Sequence, residues 1–311
     1  PIKNLSQKIA YLKVGESSSE EFLKILNHYT KVDLINLDGF SNSDILEKTD
    51  SYDIVIVGFH KSDKSPFDPY KFTNNEILLI EELAKNKKVV LDVFSKPYSL
   101  IDLKIDNINS ILISYQNNAV SQSSSAQVIF GSIPAVGILP VSLGSEFPVN
   151  SSLKTTIIDR LSYGHPLNHG FDPIKLNRID SVINYAIKNK MTPGAQILVS
   201  KNGNVVYNKS FGKMTYDSQR KIEWDDLYDL ASLTKILSTV PLMMNEFENK
   251  TIKLETTLGQ MFPNRDLFDK SKLTIKEMFS HQSGLFPWLP FYKKTLDSVD
   301  NKPSKIWYRT I

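Results

Sequence analysis

The stretch "YDIVIVGF", residues 52–59, is an apolar run about one strand long with almost no polar alternation. A strand of that kind is covered on both faces, as in a parallel sheet with helices on either side. Outward from it, "KKVVLDVF" (87–94) and "NSILISY" (109–115) repeat the pattern, and "NNEILLIEELAKN" (74–86) reads as a helix between the first two. On the N-terminal side "KIAYLKV" (8–14) and "KVDLINL" (31–37) read as strands, with "SSSEEFLKILNHY" (17–29) as a capped amphipathic helix between them. "SQSSSAQVIFG" (121–131) supplies a further helix ending at Gly131, and "GILPVSL" (137–143) closes the unit. Strands spaced by helices predict an α/β fold for residues 1–148, a layered sandwich with a largely parallel sheet. Gly58 reads as a strand-end turn, and His60 as a loop or partner contact just past the strand. No Gly-x-Gly-x-x-Gly follows a strand, so dinucleotide binding has no support.

At 311 residues the chain can hold two domains, each with its own core. Lys and Arg number 37 against 34 acidic residues, a net charge of +3, and the basic residues are scattered. Nucleic acid is therefore not an expected partner. No apolar run reaches the ~18 residues of a membrane span. The chain has no cysteine, which excludes disulfides, thiolate metal sites and cysteine nucleophiles. No metal or cofactor site is predicted.

A Pro-, Gly-, Ser- and His-rich tract reads as a linker over 149–170, and residues 171–311 as a second domain. This opens with "DPIKLNRIDSVINYAIKNK" (172–190), where Leu176, Ile179, Val182, Ile183 and Ile187 share a helix face. Two alternating runs follow, "AQILVSKNGNVVYNKSFG" (195–212), joined through Asn202-Gly203 as a hairpin.

Then comes "DLASLTKIL" (229–237), with Ser232 three residues before Lys235. On one helix face that spacing brings an amine to a hydroxyl, and a serine hydroxyl needs such a base before it becomes nucleophilic. The positive helix end and burial would both favour this chemistry. Four tetrads fit Ser-x-x-Lys, beginning at Ser151, Ser210, Ser218 and Ser232. The first lies in the linker, the second ends a strand, and the third sits in a polar stretch. Only Ser232 opens a helical pattern, running through Leu233, Ile236, Leu237, Val240, Met243 and Phe247 and kinked at Pro241. The plain alternative is a serine cap beside an exposed lysine.

"DLYDLASLTK" (226–235) and "LTIKEMFSHQSGL" (273–285) together resemble the serine β-lactamase and penicillin-binding-protein superfamily, in its class C-like branch of esterases and peptidase-like hydrolases. The resemblance implies an acyl-enzyme on Ser232 with Lys235 assisting proton transfer, and a structural role for His281. The family's Tyr-x-Asn and Lys-Thr-Gly-like motifs should follow Leu285 and do not. Tyr115-Gln116-Asn117 fits the first only by chance, upstream of the nucleophile. The family's sheet also draws on that later region, which predicts an exposed apolar edge on the hairpin strand starting near Ala195.

The first half, through "FSKPYSL" and the Gly131–Pro140 segment, is similar to the C-terminal α/β sandwich domain of family 3 glycoside hydrolases, β-N-acetylhexosaminidase branch. That resemblance implies a preceding (β/α)₈ barrel packed on residues 1–148 and carrying the glycosidase chemistry. No glycosidase residue maps onto this chain, His60 included. The expectation is thus a fragment, truncated at both ends, of a bifunctional hydrolase acting on carbohydrate or peptidoglycan-type substrate in the periplasm or cell envelope, and not competent alone. The second half would be a partial β-lactamase-like α/β domain. A non-catalytic scaffold or association module is the alternative.

Overall fold

The computed structural model describes residues 1–65 and 67–296. Residues 297–311, part of the expected second domain, lie outside the described residues. Contacts divide the chain into two compact units, Pro1–Asp226 and the residues from Leu227 onward.

The first unit is built on five parallel strands: β1 (Ile9–Val14), β2 (Val32–Ile35), β3 (Ile54–His60), β4 (Lys88–Phe94) and β5 (Ser110–Ile113). Their order is β2-β1-β3-β4-β5. Helices α1 (Glu20–Asn27), α2 (Asn42–Thr49), α3 (Asn74–Asn86) and α4 (Ala119–Ile129) cover both faces. On one face Ile45 of α2 and Leu79, Ile80 and Leu83 of α3 pack against Leu12, Val55, Val57 and Leu91. On the other, Phe22, Ile25 and Leu26 of α1 and Ala126 and Ile129 of α4 meet Ile9, Tyr11, Ile56 and Phe94. Every residue of β3 is buried, as the unbroken apolar run requires. Capping boxes fix the starts of α2 (Ser41 with Asp44) and α3 (Thr73 with Glu76).

Two readings of β3 need correction. His60 belongs to the strand, pairs with Phe94 across the ladder and is fully buried. Gly58 is interior to the strand and faces Asp92 in the ladder. A Cβ there would meet the His60 ring and the Tyr11 ring, so glycine is required by a close approach and not by a turn.

Residues 149–161 form no regular element, a two-residue strand and a 3₁₀ turn follow at Ser162–Tyr163 and Pro166–His169, and the tract is hydrogen-bonded along the first unit. The Ile158 N–H donates to Gly131 O at 2.8 Å. Arg160 donates to the carbonyls of Ile2 (2.7 Å), Phe130 (2.8 Å) and Lys3 (2.6 Å). Tyr29 donates to Leu161 O, and the Tyr163 N–H to Gln127 Oε1. The chain continues into β6 (Ser162–Tyr163), α5 (Pro173–Leu176), α6 (Arg178–Lys188), β7 (Gly194–Lys201) and β8 (Asn204–Gly212). The sheet order here is β6-β8-β7. Asn202 (φ 51°) and Gly203 (φ 77°) form the β7–β8 turn, both left-handed as a two-residue hairpin loop demands. β7 is an outer strand, and its Leu198 is 52% exposed, in line with the expected open edge.

The second unit is helical. A 3₁₀ turn (Ala231–Leu233) runs through a π-helical turn (Lys235–Thr239) into α7 (Val240–Glu248). α8 (Leu258–Met261) and α9 (Ile275–Phe279) follow, their starts linked by the Thr257–Thr274 bridge. The single amphipathic helix expected from Ser232 is thus three helical forms in succession. Pro241 has no N–H to donate, and the wider π turn falls just ahead of it. Proline accordingly sits in the first turn of α7 and does not interrupt it.

Candidate active site

Ser232 occupies the middle of the 3₁₀ turn, directly after a strained residue. Ala231 has φ +44°, left-handed backbone that a side chain disfavours by about 1–3 kcal/mol. Two hydrogen bonds hold it: the Ala231 N–H donates to Asp229 Oδ1 at 2.8 Å, and the Leu233 N–H donates to Leu230 O at 2.9 Å. From Ser232 the backbone runs right-handed, and one turn later Lys235 Nζ donates to Ser232 Oγ at 3.1 Å. The two expected partners are therefore brought together. At that separation the ammonium form donates to the hydroxyl oxygen, and the free amine can take the hydroxyl proton. Both side chains are exposed, so the burial expected around Lys235 is not found.

The other tetrads make different bonds. Ser151 Oγ donates to Pro148 O, Lys213 Nζ donates to Gln219 Oε1, and Ser218 Oγ accepts from the Arg220 N–H. His281 closes α9. Its φ is +58°, its N–H donates to Met278 O, and the next N–H, of Gln282, donates to Glu277 O. That is a Schellman cap with histidine in the left-handed position, a backbone role for His281. Among the described residues no group of three or more His, Asp or Glu side chains could hold a metal ion.

Residues 180–306 match the family model described as Beta-lactamase. This segment is a β-lactamase-family domain. It takes in the hairpin, the Ser232–Lys235 pair and the His281 cap. Protein flp of Staphylococcus aureus (strain MRSA252) is 27% identical over 132 residues, covering 42% of this chain and 26% of flp. Esterase EstB of Burkholderia gladioli is 27% identical over 116 residues, covering 36% of this chain and 29% of EstB. The chain thus spans about a quarter of the length of the curated relatives its β-lactamase-family domain matches. Among solved structures, the beta-glucoside phosphorylase BglX aligns over 40% of this chain and 24% of its own, with 14% identity and a TM-score of 0.30, a likeness too loose to carry weight.

A second polar cluster, unforeseen from the sequence, lies in the first unit. His60 Nδ1 is 2.9 Å from Asn117 Oδ1, and its Nε2 is 2.8 Å from the Tyr11 hydroxyl. Asn117 Oδ1 also accepts from Gln122 Nε2, and Asn117 Nδ2 donates to Ser18 O. With the amide so committed, His60 donates from Nδ1 and receives the Tyr11 proton at Nε2, the neutral tautomer. Burial lowers the His60 pKa to about 4. Nearby, Asp92 is wholly buried and accepts from Ser114 Oγ at 2.7 Å and from Ser125 Oγ. Burial raises its pKa to about 7 despite those bonds. Asn117, from the chance Tyr-x-Asn match, is thus a packing residue here. The available signals were one aspartate inside "VVLDVF" and the polar helix "SQSSSAQ", too polar for a helix whose inner face is buried.

Proposed function

We propose that the chain belongs to a hydrolase in which Ser232 is the acyl-accepting nucleophile and Lys235 its proton acceptor. The observation that carries this is the 3.1 Å Lys235 Nζ–Ser232 Oγ contact inside a β-lactamase-family domain. Ser232 Oγ would add to the carbonyl of an ester, amide or lactam while its proton passes to Lys235. Collapse expels the leaving group, which takes up that proton, and water then releases the acid from the serine ester. The esterase named among the relatives favours an ester or ester-like substrate.

The finer parts of the reading rest on sequence resemblance. Residues 1–148 would pack against a family 3 glycoside hydrolase barrel of β-N-acetylhexosaminidase type, and the two activities would meet on peptidoglycan-type material in the periplasm or cell envelope. Hydrolysis of a chromogenic β-N-acetylhexosaminide by the full-length protein tests that half.

The serine half is tested by intact-mass labelling with a fluorophosphonate and with a penicillin, beside Ser232→Ala. A single adduct that disappears in the variant is the expected result. No Ser232-dependent adduct would favour the second reading, an association module. That reading draws on the exposure of Ser232 and Lys235 and on the apolar groove lined by Met243, Met244, Phe247, Leu254, Ile275 and Phe279.

A further inference from the structure

We infer that Asp229 is the positioning residue of the acyl-transfer site: its carboxylate holds Ala231 in the left-handed turn that aims Ser232 Oγ at Lys235. The inference rests on the reading of Ser232 as nucleophile and adds to it the element that sets the nucleophile's direction.

The chain reverses hand at one residue. Ala231 is left-handed at φ +44°, while Leu230 before it and Thr234 after it are right-handed. Alanine has no intrinsic reason to sit there, since its Cβ crowds the backbone in that region. The conformation therefore has to be held from outside. Downstream it is closed by the Leu233 N–H to Leu230 O bond, which any 3₁₀ turn makes. Upstream, Leu230 caps the turn with no side-chain bond, and it is Asp229 Oδ1 that accepts the Ala231 N–H at 2.8 Å. The bond spans two residues, so the Asp229 side chain imitates a backbone turn and fixes the peptide entering Ala231. Ser232 is the next residue. If Ala231 relaxed to negative φ, the Cα–Cβ direction of Ser232 would swing away and its contact with Lys235 would open. Asp229 needs only an acceptor oxygen for this task, not a charge.

The experiment measures the rate constant of Ser232 labelling by a fluorophosphonate on the full chain from pH 6 to 10. The proteins compared are the parent, Asp229→Ala, Asp229→Asn, Ala231→Gly and the double variant Asp229→Ala/Ala231→Gly. Asp229→Ala is expected to lower the limiting rate by up to about a hundredfold without moving the midpoint of the pH profile, the size of loss that misaimed reacting groups produce. Asp229→Asn keeps an acceptor oxygen and should label at the parent rate. Glycine at 231 adopts the left-handed turn without help, so the double variant should recover the rate, which also covers the case of a poorly folded Asp229→Ala. An Asp229→Ala rate equal to the parent's, an Asp229→Asn rate as slow as alanine's, or no recovery in the double variant would each overturn the role of Asp229 while leaving Ser232 as nucleophile. A parent protein that takes no Ser232-dependent label overturns both readings together.

Discussion

Gly58 and His60 share one side-chain space: a Cβ added to Gly58 would lie 2.5 Å from His60 Nε2. The same Cβ would stand 2.9 Å from Tyr11 Cε2. The imidazole can lie beneath α1, stacked 4.4 Å from the Phe94 ring and bonded to Tyr11, only because β3 carries no side chain two residues earlier.

Gly58→Ala is therefore expected to destabilise the first unit by about 1–3 kcal/mol, the range for overpacking a close-packed core. Urea unfolding followed by tyrosine fluorescence measures it. An unchanged midpoint would mean that both rings shift at no cost.

His60 and Asp92 set opposing pH dependences. Between about pH 4 and 6.5 the unfolded chain takes a proton at His60 that the folded protein refuses, so that contribution to stability rises with pH. From 3.8 to about 7 the folded protein keeps the Asp92 proton that the unfolded chain has released, so that contribution falls as pH rises. Each slope is at most about 1.4 kcal/mol per pH unit, and the two offset each other below pH 6.5. Asp92→Asn should unmask a rise in stability toward pH 6.5, and His60→Gln a fall across the same window. Urea midpoints at half-unit intervals check this. A steep slope in the parent protein would contradict the offset.

Arg160 offers a fork to three carbonyl groups, and a lysine cannot match that geometry. Arg160→Lys is expected to cost about 1–3 kcal/mol, the penalty for leaving such acceptors unpaired. It should also raise amide exchange at Ile2, whose N–H donates to Ile129 O. Exchange mass spectrometry over residues 1–5 and 128–132 would show it, and identical exchange in both proteins would discount the clamp.

His281 is held at φ +58°, where glycine is the less strained choice. His281→Gly should raise the stability of the second unit by up to about 1 kcal/mol and leave the Ser232 labelling rate unchanged. A lost label would mean that the imidazole takes part in the chemistry.

The parallel sheet was legible because strands covered on both faces must be apolar throughout, and "YDIVIVGF" is. The end of that strand was not, since His60 continues the ladder although the apolar run stops at Phe59. α2 escaped notice because Ile45 and Leu46 are its only large apolar residues; its one sign is the Ser41-x-x-Asp44 capping pattern. At the candidate site the pairing of Ser232 with Lys235 could be read from spacing, because any helical turn brings those positions together. The left-handed Ala231 could not, since alanine gives no sequence sign of that conformation and only Asp229 reveals what holds it.

The Arg160 clamp ties the order of folding to the order of synthesis. Its carbonyl partners Ile2 and Lys3 emerge 158 and 157 residues before the guanidinium that secures them. At ribosomal rates of about 5–20 residues per second, they wait on the order of ten seconds or more. All five strands of the parallel sheet are made in that interval. The first few residues should therefore be the last part of this face to dock during translation, and the part most open to proteases or chaperones until Arg160 leaves the ribosome.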